Sequence, residues 1–215
     1  VALPVMLTQL GASLVGLFDS IMVGHYATVD LAAVSFANAL FFMAMVFAMG
    51  ALMAITPLVG VCMGEMNVQQ ENQSAIRNKI AILFQNGMLF TVLQSALMLL
   101  LLGGCIPFLE YFGQEPEVVS VARPYYILIV ISLVPFLFFT FFKQFLEGLG
   151  NTLVAMIITL AMNGLNILLN WVFIYGHWGA DAMGATGAGI GSLISRLGMP
   201  LCFVIAMRLP RDWKY

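Results

Sequence analysis

A chain of 215 residues that is 62% hydrophobic and only 8% charged, with a mean hydropathy of +1.01, cannot fold as an ordinary water-soluble domain, because soluble chains carry about a quarter charged residues. A net charge of −2 and the lack of any basic run argue against a nucleic-acid-binding protein. The composition predicts an all-α polytopic membrane protein, in which each span needs about 20 apolar residues.

Six apolar runs, separated by polar or Gly- and Pro-rich joints, predict a bundle of six transmembrane helices. The joint at 64–78 is polar and predicts an amphipathic surface segment, whereas Pro116 and three acids within 110–123 predict a loop. The predicted spans cover residues 2–24, 33–62, 79–104, 125–146, 152–175 and 186–207.

The basic residues predict the orientation of these spans, because Lys and Arg collect on the cytoplasmic side of a membrane. They fall mainly on alternate joints and on the carboxyl-terminal tail, while the opposite joints hold only Arg123. We therefore expect a multi-pass protein of the plasma (inner) membrane with both ends of the chain cytoplasmic and the first span running outward. The residues that carry this prediction are Arg77, Lys79, Lys143, Arg208, Arg211 and Lys214.

The first span contains one carboxylate, Asp19, between the apolar residues 14–18 and 21–23. An ionised Asp in lipid costs roughly 2.5 to 3.5 kcal/mol on insertion scales, so such residues face protein or water and tend to carry function. The alternative interpretation is that Asp19 marks the outer end of the span, where it would touch water.

Polar residues on the last two spans fall at a similar predicted depth. Asn166 and Asn170 are four residues apart in the fifth span, and Ser192 and Arg196 are four apart in the sixth, so each pair shares a helix face. All four belong to the outer half of the membrane, as does Asp19, which predicts one polar cluster. Alternatively, the amides only join neighbouring helices at around 0.6 kcal/mol each, and Arg196 only snorkels or neutralises Asp19.

Three prolines lie within predicted spans, at Pro4, Pro57 and Pro135. Proline lacks the backbone N–H of a helix and kinks it, and Pro4 is the candidate bending point of the first span. The 15 methionines and 17 phenylalanines suit an adaptable apolar cavity for bulky ligands.

Several short motifs resemble the multidrug and toxic compound extrusion (MATE) family over nearly the whole chain. The first span is similar to the family's Pro followed by Asp, here Pro4 and Asp19. The stretches Leu31-Ala32-Ala33-Val34, Glu147-Gly148-Leu149-Gly150-Asn151-Thr152 and Gly187-Ala188-Gly189-Ile190-Gly191-Ser192 are also similar to family motifs.

The resemblance implies a twelve-helix transporter of two six-helix lobes, of which residues 1–215 form the amino-terminal lobe and the second lobe is not in this chain. By the same resemblance, Asp19 handles the coupling cation, and Asn166, Asn170 and Ser192 match polar positions of the lobe. Asn170 stands where some members carry a second Asp, and Arg196 has no counterpart in the family pattern.

The predicted function is therefore a cation-coupled antiporter that exports bulky organic compounds, expected to be cationic, by alternating access. Its partners are expected to be these small molecules, membrane lipid and a second six-helix lobe, with no nucleic acid and no cofactor besides the coupling ion, H⁺ or Na⁺. If Na⁺ is used, Asp19, Asn166 and Asn170 supply oxygen ligands for the metal ion.

Three other classes of membrane protein make different demands on the sequence. A lipid-linked saccharide flippase of related fold would need several cavity Arg or Lys residues, and Arg196 alone is available. An enzyme is not expected, because His25 and His177 sit at outer span ends and no second acid is evident within the spans. A non-transporting structural membrane subunit would need no polar cluster.

Overall fold

The computed structural model of the chain describes residues 2–68 and 73–208, except the side chains of residues 2–5, 12, 67, 68, 207 and 208. Six helical segments of the described ranges are long and apolar enough to cross a membrane. The predicted all-α fold with six spans is thereby confirmed. The helices are α1 (Ala2–Tyr26), α2 (Thr28–Met53), α3 (Ile55–Val68), α4 (Gln73–Cys105), a 3-10 helix (Ile106–Phe112), α5 (Pro116–Gly148), α6 (Leu153–Tyr175) and α7 (Gly184–Arg208).

Helix α5 lies at the centre of the bundle, packed against α2, α4 and α7. About 67% of its most apolar stretch is buried, against 12% for α1. Large side chains on α5, including Tyr126, Leu133 and Phe141, are fully buried and form much of the hydrophobic core. Helix α1 packs mainly on α6, and α6 packs on α7, which brings the three helices with the predicted polar residues side by side.

The second span, predicted as one helix over 33–62, is interrupted at Ala54 between α2 and α3. The cause is Pro57, whose ring clashes with the carbonyl four residues earlier, at Met53, where α2 ends. Across this break the Thr56 hydroxyl shares its one proton between the Gln144 carbonyl oxygen (3.0 Å) and Gln144 Oε1 (2.7 Å) on α5.

Helices also extend into both long joints. Helix α3 reaches Val68 and α4 starts at Gln73, and α5 starts at Pro116, so the loop predicted over 110–123 is reduced to 113–115. The added turns carry polar residues outside the core, such as Arg123 of α5, whose guanidinium lies 2.8 Å from the carboxylate of Glu110 in the 3-10 helix. The tail residues Arg211 and Lys214, used for the orientation, lie outside the described residues.

The amino-terminal end of α7 is capped by a carboxylate from another helix. The Ala185 backbone N–H donates to Asp30 Oδ1 at 2.6 Å, directly after Gly184, whose φ is +52°. The first N–H groups of a helix have no partner within the helix, and negative charge there is favourable. Asp30 therefore fixes the start of α7 to the start of α2.

Replacing Asp30 with Ala is expected to lower the free energy of unfolding by about 0.5–2 kcal/mol, the usual cost of losing a cap. The fall in Tm, measured on purified protein in detergent, checks this. Asp181→Ala is the matched control, because Asp181 is an exposed carboxylate in the loop before α7. Equal Tm values for the two variants would contradict a capping role for Asp30.

Candidate functional site

The Asp19 carboxylate on α1 faces α6. Its Oδ1 accepts a hydrogen bond from Asn170 Nδ2 at 2.5 Å. Asn170 is fully buried, and Asp19 is half-buried. An ionised carboxylate can only accept hydrogen bonds, so the NH₂ end of the amide must be the end that faces it. The carboxylate therefore lies against protein rather than against lipid.

From Asn170 the polar contacts continue to α7. Asn170 Nδ2 also donates to Asn166 Oδ1 at 3.4 Å, and Asn166 Nδ2 donates to Ser192 Oγ at 3.5 Å. Both distances are at the long limit of hydrogen bonding. Asp19, Asn166, Asn170 and Ser192 thus form a continuous set across three helices, hereafter the polar cluster.

Arg196 lies one turn after Ser192 on α7 but turns towards α5. Its Nη1 donates to Ser132 Oγ at 2.9 Å, and its guanidinium carbon lies 5.1 Å and 5.2 Å from the ring centres of Phe41 and Phe136. Aromatic rings at this distance attract a cation. Asp19 and Arg196 form no direct ion pair, although their charges act on each other across the site.

Sequence reasoning missed Tyr125 and Asn38. The Tyr125 hydroxyl donates to Asn38 Oδ1 at 3.0 Å, and Tyr125 lies close enough to interact electrostatically with both Asp19 and Arg196. The one available signal was an Asn within the apolar second span. Which side chain it meets depends on the packing of α2 on α5.

A cavity of about 430 Å³ opens beside the polar cluster. Asp19, Asn166, Ser192 and Arg196 all line it, whereas Asn170 lies behind them. Lys143 also lines it, which corrects the expectation that Arg196 is the single basic residue available there; Lys143 Nζ lies 3.9 Å from Glu147 Oε1. Apolar side chains make up the rest of the wall, including Phe42, Met45, Met49, Phe139 and Met199.

Two buried polar atoms of α6 have no hydrogen-bond partner: Asn163 Nδ2, whose residue lines the cavity, and Asn170 Oδ1. A methyl group added at Gly191 of α7 would lie 2.4 Å from Asn170 Oδ1. The oxygen end of that amide therefore packs against the α7 backbone.

Pro4, the candidate bending point, belongs to α1, and its side chain lies outside the described residues. Its role stays a prediction.

Replacing Asn170 with Ala is expected to reduce transport about 10- to 100-fold, since a hydrogen bond to a charged group is worth about 1.5–3 kcal/mol. The initial rate of dye efflux, normalised to protein in the membrane, measures the loss. Asn78→Ala is the control, because Asn78 is exposed on α4. An Asn170→Ala rate equal to that of the control would show that the amide does not support Asp19.

The sequence of this chain matches the model of a known protein family. The family model MatE matches residues 4–172. The chain belongs to the MatE family. That match spans α1, α5 and most of α6, and therefore Asp19, Asn166 and Asn170 of the polar cluster.

Curated relatives agree with the MatE assignment. The multidrug resistance protein NorM of Photobacterium profundum is 31% identical over 90% of this chain and 40% of its own length. A probable multidrug resistance protein NorM of Oceanobacillus iheyensis is 29% identical over 91% of this chain and 42% of its own length. The chain thus spans less than half the length of these relatives.

A solved structure gives the same fold. The crystal structure of MATE in complex with MaL6 superposes with a TM-score of 0.79 at 21% identity, over 98% of this chain and 44% of that chain. The MatE lobe described here therefore corresponds to fewer than half the residues of that transporter.

Proposed function

We propose that this chain is one lobe of a twelve-helix antiporter that exports bulky organic compounds in exchange for an inward-moving cation. The observation that carries the proposal is Asp19, a carboxylate within a membrane-spanning helix, hydrogen-bonded to Asn170 and open to the cavity. Multidrug resistance in the names of the NorM relatives supports export as the activity. The match covers only 40% of the length of the Photobacterium profundum NorM, which supports a second lobe as the partner of this one.

The cavity wall supports large, partly apolar substrates. Methionine side chains adapt their shape to different ligands, and aromatic rings attract organic cations. Asp19 is the acid on this wall among the described residues, so a substrate cation placed next to it would be held by charge. Cationic substrates are part of the proposal for that reason.

The coupling step follows from the thermodynamic linkage between cation binding and the conformation of the transporter. A cation can shift the equilibrium between outward-open and inward-open states only if it binds the two states with different affinity. Neutralising Asp19 weakens the hydrogen bond from Asn170, which is then no longer charge-assisted, and lowers the need of Asp19 for water, so α1 can shift against α6 and the cavity can close. Bending of α1 near Pro4 is the proposed movement. The ion is H⁺ on the carboxylate, or Na⁺ held by Asp19, Asn166 and Asn170.

The proposed setting is the plasma (inner) membrane with both ends of the chain cytoplasmic. In this orientation the carboxyl-terminal end of α5, with Lys143, is cytoplasmic, and its amino-terminal end, with Arg123, is on the outer side.

Lys143 is the specific observation that favours a second candidate, a lipid-linked saccharide flippase. With Arg196 it places two basic side chains on the wall, which an anionic headgroup would require. We rank it second because Glu147 lies 3.9 Å from Lys143 and Arg196 is engaged with Ser132.

The test is transport by the full-length protein that carries this chain, reconstituted in lipid vesicles. Ethidium export should be driven by an imposed H⁺ or Na⁺ gradient, each applied separately. If folded and correctly inserted protein exports no ethidium under either gradient, the antiporter proposal is wrong. A structural subunit or a flippase would then be the remaining candidates.

A further inference from the structure

The guanidinium of Arg196 is held in place within the lobe, beside an acid that has an amide partner of its own. Ser132, which accepts its hydrogen bond, is fully buried and in turn donates to the Ile129 carbonyl at 2.7 Å. Phe41 and Phe136 supply two rings at 5.1 Å and 5.2 Å. Arg196 is therefore a fixed cation on the cavity wall, with contacts from α2 and α5, and not a residue that snorkels to the surface.

The polar cluster presents hydrogen-bond donors to Asp19, not oxygen ligands. Asn170 turns its NH₂ to the carboxylate, and its oxygen packs against Gly191 of α7. The Asn166 oxygen faces the Asn170 donor at 3.4 Å and the Ser192 oxygen faces the Asn166 donor at 3.5 Å, so one of the two lone pairs of each oxygen is directed at an N–H group. Hard cations such as Na⁺ need several oxygen ligands at once to replace their water. A proton needs none of these, because it bonds directly to a carboxylate oxygen.

The charges near Asp19 also favour a proton over Na⁺. The groups that act on Asp19 from the neighbouring helices are Arg196 on α7 and Asn170 on α6. The Arg196 charge acts on ionised Asp19, and a metal ion, unlike a large organic cation on the aromatic wall, would have to give up its water to enter the cluster near that guanidinium. A like charge brought close to Arg196 without its water is costly.

We propose that Arg196 is a specificity-determining residue that reserves Asp19 for a proton and excludes Na⁺ from the polar cluster. The inference rests on the proposed antiport function. Its consequence for transport is a change in the charge of the site: Asp19 and Arg196 sum to zero when the acid is ionised and to +1 when it is protonated. The protonated site then repels a cationic substrate, which gives exchange rather than co-transport.

The test compares full-length wild type with Arg196→Gln and Arg196→Lys, each with and without Asp19→Asn. Gln keeps a donor for Ser132 but leaves ionised Asp19 without a balancing charge. We expect Arg196→Gln to gain a Na⁺-specific rise in Tm of about 2–4 °C in NaCl over an equal concentration of KCl, and this rise to vanish when Asp19→Asn is added. Wild type and Arg196→Lys are expected to show no such Asp19-dependent rise.

Arg123→Gln is the matched control, because Arg123 is a half-exposed arginine paired with Glu110 outside the cavity; it should gain no Na⁺ response. An Asp19-dependent Na⁺ response in wild type, or its absence in folded Arg196→Gln, would overturn the inference. If Arg196→Gln does not accumulate, wild type is compared with Asp19→Asn. A rise in Tm with Na⁺ that is present in wild type and lost in Asp19→Asn would contradict the inference that Na⁺ is excluded from the polar cluster.

Vesicle transport separates this inference from the proposed function. Ethidium export driven by H⁺ but not by Na⁺ through Asp19 supports both. Export that requires Na⁺ and is lost in Asp19→Asn keeps the antiporter and refutes the role of Arg196. If neither gradient drives export, the antiporter fails, and the Tm comparison still decides whether Arg196 excludes Na⁺.

Discussion

Asp19→Asn is expected to reduce gradient-driven export by about 100-fold, near the upper end of the 5- to 150-fold range typical of coupling between sites. Asn keeps the shape of Asp and can still meet Asn170, but it can neither bind nor release a proton. The variant is fixed in the neutral form, so an ion gradient no longer shifts the equilibrium between states. Ethidium export from vesicles under an imposed H⁺ gradient measures the loss.

Asp181→Asn controls for the loss of one negative charge, because Asp181 is exposed in the loop before α7. Both variants should reach the membrane in wild-type amounts. Export by Asp19→Asn at the wild-type rate against a gradient would remove Asp19 from the mechanism.

Gly187→Val is expected to cause the largest loss of stability. A Cβ at Gly187 would lie 2.4 Å from the Phe173 carbonyl oxygen and 2.6 Å from its carbonyl carbon. These are backbone atoms of α6, so no rotamer change relieves the clash and the two helices must separate. Overpacking of this kind costs about 1–3 kcal/mol and occasionally more, which lowers Tm by about 2–12 °C for a chain of this size.

Gly164→Ala is the matched comparison with the opposite expected sign. Gly164 lies within α6 and has no neighbour within 4 Å of an added Cβ, and Ala is favoured over Gly in a helix by up to about 1 kcal/mol. Thermal unfolding in detergent measures both variants. A Gly187→Val protein as stable as Gly164→Ala would mean that α6 and α7 do not pack this closely.

The six spans were predictable because a bilayer requires long apolar helices, and six such runs fit the chain. Their ends were less predictable. Hydropathy marks the apolar part of a helix, whereas α5 begins at Pro116, nine residues before the predicted start of the span, where Glu117 and Arg123 are compatible with a helix outside the core. The clash between the Pro57 ring and the Met53 carbonyl is visible in the sequence. Whether the helix kinks there or breaks at Ala54 depends on how α2 and α3 pack.

The contacts of the polar cluster were predictable in part. Spacing of four residues placed Asn166 and Asn170 on one face, and the predicted depths suggested that Asp19 lay level with them. Which atoms meet was not predictable: Arg196 contacts Ser132 on α5 rather than Asp19. Such pairings depend on the rotation of α5 and α7 about their own axes, which periodicity in a single chain does not determine. The functional roles of these residues stay proposals.

The unequal embedding of α5 and α1 affects how freely each can vary. Most neighbours of α5 are other side chains of the lobe, so a change of shape there must be matched by a second change nearby. The outward face of α1 carries exposed apolar side chains such as Leu14, Leu17 and Ile21, and fluid hydrocarbon accepts many shapes equally well. Sequence drift should therefore be slow along the central helix and fast along the lipid-facing side of the helix that carries the acid.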